Sequence, residues 1–240
     1  MRIVYIFLLC FGNLLGGDFI EQIIQIKNAS KKDATINVGN LQIGQSGIII
    51  NTENKNNSVI LCYATVVSSD LNSSKIEFQY KNILMQDALP KTNLKPKDGD
   101  QFIINHLYKN ALLIAPNFEA SSNVKKLNAN IHFLESDFFA AYLKINENPT
   151  PKKEDLLDFA HQNDLGRIFI ITDKTLNMID AISFKIVDQQ TITFEDNTTT
   201  SPFYANIEEI KTGTFNFFGE ENIGDYNKYY KKLLGIKDGK

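Results

Sequence analysis

The sequence predicts an α+β protein: a small β-barrel or sandwich over residues 18–117, then an α+β half with a mixed sheet over 118–240. Two observations carry this. Up to Ala115 the apolar residues alternate with polar ones in short runs broken by Gly, Asn and Asp, the period of half-buried strands. Past Pro116 the spacing turns helical and only intermittently returns to strand runs. A third observation sets residues 1–17 apart from both halves. Met1-Arg2, the apolar run Ile3–Leu9 and the small residues ending at Gly16-Gly17 have the layout of a secretory signal peptide.

In chain order, Ile24 and Ile26 alternate with polar neighbours, and Lys31-Lys32-Asp33 turns the chain into a strand over Ala34–Val38. Gly44 and Gly47 flank a bend into Ile48–Asn51, and Gly39, Gly44 and Gly47 are expected to be turn glycines with positive φ. The polar stretch Glu53–Asn57 precedes the apolar strand Val59–Val67. Ser68–Ser74 turns into Lys75–Tyr80, with Ile76 and Phe78 on one face. Lys97-Asp98-Gly99-Asp100 is a turn before Phe102–Asn105, and Leu112–Ala115 is expected to close the β-rich series.

The second half opens with a helix over Phe118–Leu127 and a short strand over Ile131–Leu134. Ser136 is placed to cap a helix over Asp137–Lys144, whose apolar face is Phe138, Phe139, Tyr142 and Leu143. Pro149-Thr150-Pro151 punctuates, with Pro151 expected in the first turn of a helix over Lys152–Asn163. Arg167–Thr172 reads as a central buried strand, and Asp173-Lys174 as a hairpin turn into Leu176–Asp180. Strands are expected over Phe184–Val187, Thr191–Phe194, Phe203–Ile210 and Phe215–Phe218, and a last helix over Tyr226–Leu234.

Composition narrows the function. Ile3–Leu15 is shorter than the roughly 20 apolar residues a membrane span needs, and nothing later is longer. The expected cut after Gly17, with Gly16 the near alternative, leaves a mature chain starting at Asp18 or one residue earlier, with no transmembrane segment, in the periplasm or on the outer cell surface. Loss of Arg2 makes the chain one unit more negative than its formal −3, and no polybasic stretch exists to track nucleic acid. Of 2 cysteines, Cys10 leaves with the leader, so no internal disulfide is expected and Cys62, inside an apolar run, reads as an inert buried thiol.

Residues with catalytic potential are scattered. His106, His132 and His161 lie in unrelated contexts without metal-ligand spacing, and no nucleophile elbow, zinc motif or phosphate loop is present. Glu154, Asp155 and Asp158 suit the start of a helix, where acids favour its dipole. Glu220, Glu221 and Asp225 form a local acidic patch, which is no acid/base pair by itself, since such pairs are defined by spatial separation. Asn28, Asn56, Asn72 and Asn197 head Asn-x-Ser/Thr triplets of the kind an Asn-rich chain contains by chance. No cofactor, no metal and no enzymatic activity are expected. The tail Gly235–Lys240 is glycine-flanked and ends in Lys240, where an ammonium and a terminal carboxylate can be offered together.

Six stretches occur together: VGNLQIGQSGIII (38–50), QDALP (86–90), LKPKDGD (94–100), LYKNALLIAPN (107–117), SDFFAAYL (136–143) and NPTPKKEDLLDF (148–159). Together and in this order they resemble the N-terminal domain family of PgbA-type plasminogen-binding proteins from epsilon-class proteobacteria, over roughly Phe19–Val187. The resemblance implies an exported binding protein that recruits host plasminogen, with lysines captured by kringle lysine-binding sites. By position Lys240 matches the family's terminal lysine, and Lys237, followed by Asp238, offers an internal imitation of the same paired charges. Family members carry a long charged extension after the shared domain and finish in more than one lysine, whereas this sequence ends in one, soon after the domain. The alternative is a periplasmic structural or assembly module whose terminal lysine is incidental.

Overall fold

The computed structural model describes residues 19–51, 58–80, 94–148, 150–206 and 223–237. The leader 1–17, the Glu53–Asn57 stretch, Asn56, the Phe215–Phe218 strand, Glu220, Glu221 and Lys240 lie outside the described residues.

The first half closes into a barrel. Its strands are β1 (Gln22–Lys27), β2 (Asp33–Ile36), β3 (Ser46–Asn51), β4 (Val59–Ser69), β5 (Ser74–Gln79) and β6 (Gln101–Ile104). They run β1-β2-β5-β4-β3-β6, and β6 returns to pair with β1. Every pair is antiparallel. The period-two pattern supplies the interior: in β5, Ile76 and Phe78 are buried while Lys75 and Glu77 face out. Ile26, Ile36, Ile49, Cys62, Val66, Phe102 and Ile104 complete a sealed core. Register shifts at Ile49/Ile50 and Val66/Ser68 mark the bulges that let long strands bend round so small a barrel.

Glycine works here mainly through close approach. A Cβ on Gly47 would stand 2.0 Å from the Ile103 carbonyl oxygen across the β3–β6 ladder, and one on Gly39 would stand 2.3 Å from the Leu71 carbonyl carbon. Only Gly44 of the three has the expected positive φ, at 105°. For Gly39 and Gly47 the turn explanation is therefore corrected: backbone contact, not dihedral freedom, excludes a side chain.

The second sheet has the order β11-β10-β9-β7-β8. Its members are β7 (Asn110–Ile114), β8 (His132–Leu134), β9 (Arg167–Thr172), β10 (Thr175–Asp180) and β11 (Ile186–Thr191). β7 is parallel to β8 and β9, and the other pairs are antiparallel, so the sheet is mixed. Helix α1 (Phe118–Leu127) covers one face, with Ala120 and Val124 on Leu113, Phe169 and Met178. Helices α2 (Ser136–Ile145), α3 (Lys153–Gln162) and α4 (Tyr226–Leu234) cover the other, with Phe139, Leu143, Leu156, Phe159 and Tyr230 on Leu112, Ile114, Ile168 and Ile170. β9 is buried at all six residues because it is central and covered on both faces.

Five expectations change here. The 112–115 run does not close the barrel: β7 crosses into the second sheet and becomes its parallel centre. Ser136 is the first helical residue, its hydroxyl donating to the Tyr204 carbonyl at 2.9 Å, so it caps nothing. Pro151 stands before α3, where its carbonyl accepts from the Tyr229 hydroxyl at 2.7 Å. One strand, β11, replaces the two expected over 184–194, since the ladder register with β10 spans only Ile186–Thr191. The described residues 203–206 form no strand and instead cross the sheet's end, where the Tyr204 amide donates to the Ala115 carbonyl at 2.8 Å.

Candidate functional site

The residues expected to bind a partner follow α4. Asp225 opens this helix, its carboxylate accepting the Lys228 amide at 3.0 Å. Tyr226 and Tyr230 recur at i and i+4, so both rings enter the core on one face. Their hydroxyls stay satisfied: Tyr226 donates to the Ile114 carbonyl at 3.2 Å and Tyr230 to the Pro202 carbonyl at 2.9 Å. On the outer side Lys231 pairs with Asp173, and the Asn227 side-chain oxygen accepts the Asp173 amide at 2.6 Å. The helix thus sits across the carboxyl ends of β7 and β9.

Gly235 ends α4 in the left-handed region, with φ 68°. Its amide donates to the Lys232 carbonyl and the Ile236 amide to the Lys231 carbonyl, the two-bond glycine termination that turns a chain away from its helix axis. Lys237 follows and is exposed. The arrangement leaves Lys237 exposed just past a firmly seated helix. It brings together no catalytic set.

Of the other chemistry-bearing residues, Asp155, His106 and His161 are occupied structurally, whereas His132, Glu154 and Asp158 are exposed. The Asp155 carboxylate accepts the Lys152 amide at 2.7 Å at the start of α3. His106 lies 3.2 Å from Glu21, and His161 of α3 lies 3.4 Å from the Tyr63 hydroxyl on the barrel. Among the described residues no group of three or more His, Cys, Asp or Glu side chains could hold a metal ion. Cys62 is fully buried and desolvation pushes its thiol up to about 12, which makes it a poor nucleophile. No helix among the described residues is long and apolar enough to cross a membrane.

Sequence reading missed the joint between the two halves. Asp180, at the end of β10, is completely buried. Its carboxylate accepts from the Ser46 amide (3.1 Å) and hydroxyl, the Tyr108 hydroxyl (2.7 Å), and the Ile182 (3.0 Å) and Ser183 (2.6 Å) amides. Desolvation raises its pKa, while the hydrogen bonds from Ser183, Ser46, Tyr108 and Ile182 pull it back. Ser46 belongs to barrel strand β3 and Asp180 to the sheet, and Ser183 adds a bond to the Gly44 carbonyl at 2.8 Å. The joint is polar, buried and fully satisfied at the carboxylate. Only the odd placement of a charged residue at the end of the apolar run Leu176–Asp180 could have signalled it.

A closed barrel fixed through a buried carboxylate to a doubly covered mixed sheet defines a two-part α+β protein whose last helix carries an exposed lysine. The chain belongs to the family described as plasminogen-binding protein pgbA N-terminal, whose model matches residues 20–234, ending with the last residue of α4. The curated plasminogen-binding proteins PgbA from two Helicobacter pylori strains, J99 / ATCC 700824 and ATCC 700392 / 26695, are each 25% identical to it over 213 residues. The alignment covers 88% of this chain and 46% of each relative, so the chain spans about half their length. No solved structure matches.

Proposed function

We propose that this chain is an exported, non-enzymatic binding protein that recruits host plasminogen through lysines beyond α4, Lys240 and Lys237. The names of its relatives support plasminogen as the partner. The observation that carries the route is the glycine-terminated end of α4, after which Lys237 is exposed while the helix itself is held by two buried tyrosines. A kringle lysine-binding site takes a cation and an anion held a fixed distance apart. In this reading Lys240 would supply its ammonium and a carboxylate to that site, and Lys237 the same pair with the neighbouring Asp238. The protein would act as a tether, and proteolysis would belong to plasmin once an activator has produced it.

Plasminogen binding to immobilised full chain is the direct test. Deleting Lys240 should weaken it at least tenfold, adding Lys237→Ala should abolish it, and a free lysine analogue should compete. Binding unchanged in the double variant overturns this route. For export, the amino terminus of the mature protein should be Asp18; a polypeptide retaining Met1 in the cytosol overturns it.

The second reading, a periplasmic assembly module, has its own support in exposed apolar side chains: Phe118 at 66%, Leu127 at 73%, Phe138 at 60% and Ile145 at 81% exposure. Digestion of intact cells with an external protease separates the two. Cleavage favours the plasminogen tether, and full protection favours the internal module.

A further inference from the structure

The second sheet reverses its winding between β7 and β9. From β7 the chain passes through α1 to β8 on one side, then through α2 and α3 to β9 on the other, with all three strands parallel. In open α/β sheets the crevice outside the carboxyl ends of the strands at such a reversal is the general place for a ligand, because the two departing connections leave a gap there. In this protein a cavity of about 250 Å3 lies there. Its walls are Pro116 after β7, Asp173 and Lys174 after β9, the 194–199 segment, and Asn227 of α4.

The lining is rich in side-chain donors. Lys174 Nζ lies over the Phe194 ring, 5.6 Å from its centroid, and is steadied there by a bond to the Phe194 carbonyl at 3.2 Å. An ammonium has three N–H groups, so two remain for a ligand. Thr198, Thr199 and the Asn197 and Asn227 amides add neutral donors at the same wall. The neighbouring carboxylates are already committed. Asp173 is paired with Lys231, Glu119 accepts the Glu195 and Asp196 amides, and Asp196 accepts the Thr198 amide at 2.8 Å.

We propose that this cavity binds a small carboxylate-bearing molecule, its carboxylate taken by Lys174 with Thr199 and Asn227 as hydrogen-bond partners, and its body resting on Pro116 and Phe194. The site is independent of the plasminogen reading. It lies on the same helix, however, so an occupant touching Asn227 would also brace the base from which Lys237 projects.

The test uses the isotopically labelled full chain and backbone amide spectra. N-acetylglycine is the probe and N-acetylglycinamide its uncharged control. Saturable shifts are expected at Asp173, Lys174, Thr198, Thr199 and Asn227 with the acid, and at least tenfold weaker apparent affinity for the amide. Lys174→Gln, a change in an exposed hairpin turn, should weaken the acid at least tenfold with the melting temperature unchanged, and Thr199→Val should weaken it severalfold. An absence of saturable shifts at these amides, equal responses to acid and amide, or an undiminished response in Lys174→Gln each overturns the proposal.

Discussion

Arg167 and Asp180 are register partners across β9 and β10, yet each spends its charge elsewhere. The carboxylate takes hydrogen bonds from Ser46, Tyr108, Ile182 and Ser183. The guanidinium lies 5.4 Å from the Tyr108 and Phe169 ring centroids, with Nε buried and without a partner. Desolvation lowers the Arg167 pKa to about 10. Tyr108 stands between the two charges, hydrogen-bonded to one and stacked under the other, and so ties the barrel to both strands.

Removing the carboxylate should loosen the joint. Asp180→Ala leaves the Ser46, Tyr108 and Ser183 donors buried and unpaired, a loss of about 3 kcal/mol or more. Ser46→Ala should cost about 1 kcal/mol. Because the two groups share one network, their combined cost should fall short of the sum by about 1 kcal/mol in a double-mutant cycle read by denaturant unfolding. Simple additivity would show that Ser46 and Asp180 do not act as a unit.

Two glycine substitutions should differ in size for different reasons. Gly47→Ala drives a Cβ into the Ile103 carbonyl oxygen, which forces β3 and β6 apart and should cost about 3 kcal/mol. Gly235→Ala meets nothing within 4 Å and strains only the left-handed φ, worth about 1 kcal/mol. Equal melting temperatures for the two variants would contradict this ordering.

Cys62 should resist alkylation in the folded chain. Its thiol is buried and its pKa is pushed up to about 12 by desolvation first and by the Asp100 charge second. Iodoacetamide at pH 8 should leave it unmodified until denaturant unfolds the barrel. Rapid stoichiometric labelling under native conditions would mean that the β4 interior is open.

Acid should weaken the β4–β5 turn. The Asn72 and Ser73 amides and the Ser73 hydroxyl donate to Asp70 and hold its carboxyl below the ordinary range. A carboxyl depressed in the folded state stabilises the fold above the unfolded value, near pH 4, and that contribution disappears as pH falls through the lower folded value. Asp70→Asn mimics the protonated form. Its urea midpoint should therefore sit below that of the parent at pH 7, and the gap should narrow as the pH falls below the unfolded value; a gap of constant size down to the acid limit of folding would refute the assignment.

Local pattern was enough for much of this fold. Alternating Ile and Phe residues announced the barrel strands, since a half-buried strand has a period of two wherever it pairs. Helix spacing located α1 and α4 from first residue to last, and the continuous apolar run of β9 identified a strand covered on both faces. The seat of α4 was half legible: Tyr226 and Tyr230 share a face in any helix, but their carbonyl partners, Ile114 and Pro202, lie far away in sequence.

What the sequence by itself determined was the six barrel strands, the four helices of the described residues, the inert character of Cys62 and the family. The tertiary structure alone decided which sheet β7 joins, because an apolar five-residue strand is equally suited to closing a barrel or centring a parallel sheet. It alone revealed Asp180 as the joint, because a buried carboxylate is tolerated only where donors converge, and Ser46 and Tyr108 reach it from 134 and 72 residues away. The cavity beside Lys174 has the same origin: it exists only once β7, β9, the 194–199 segment and α4 are brought to one end of the sheet.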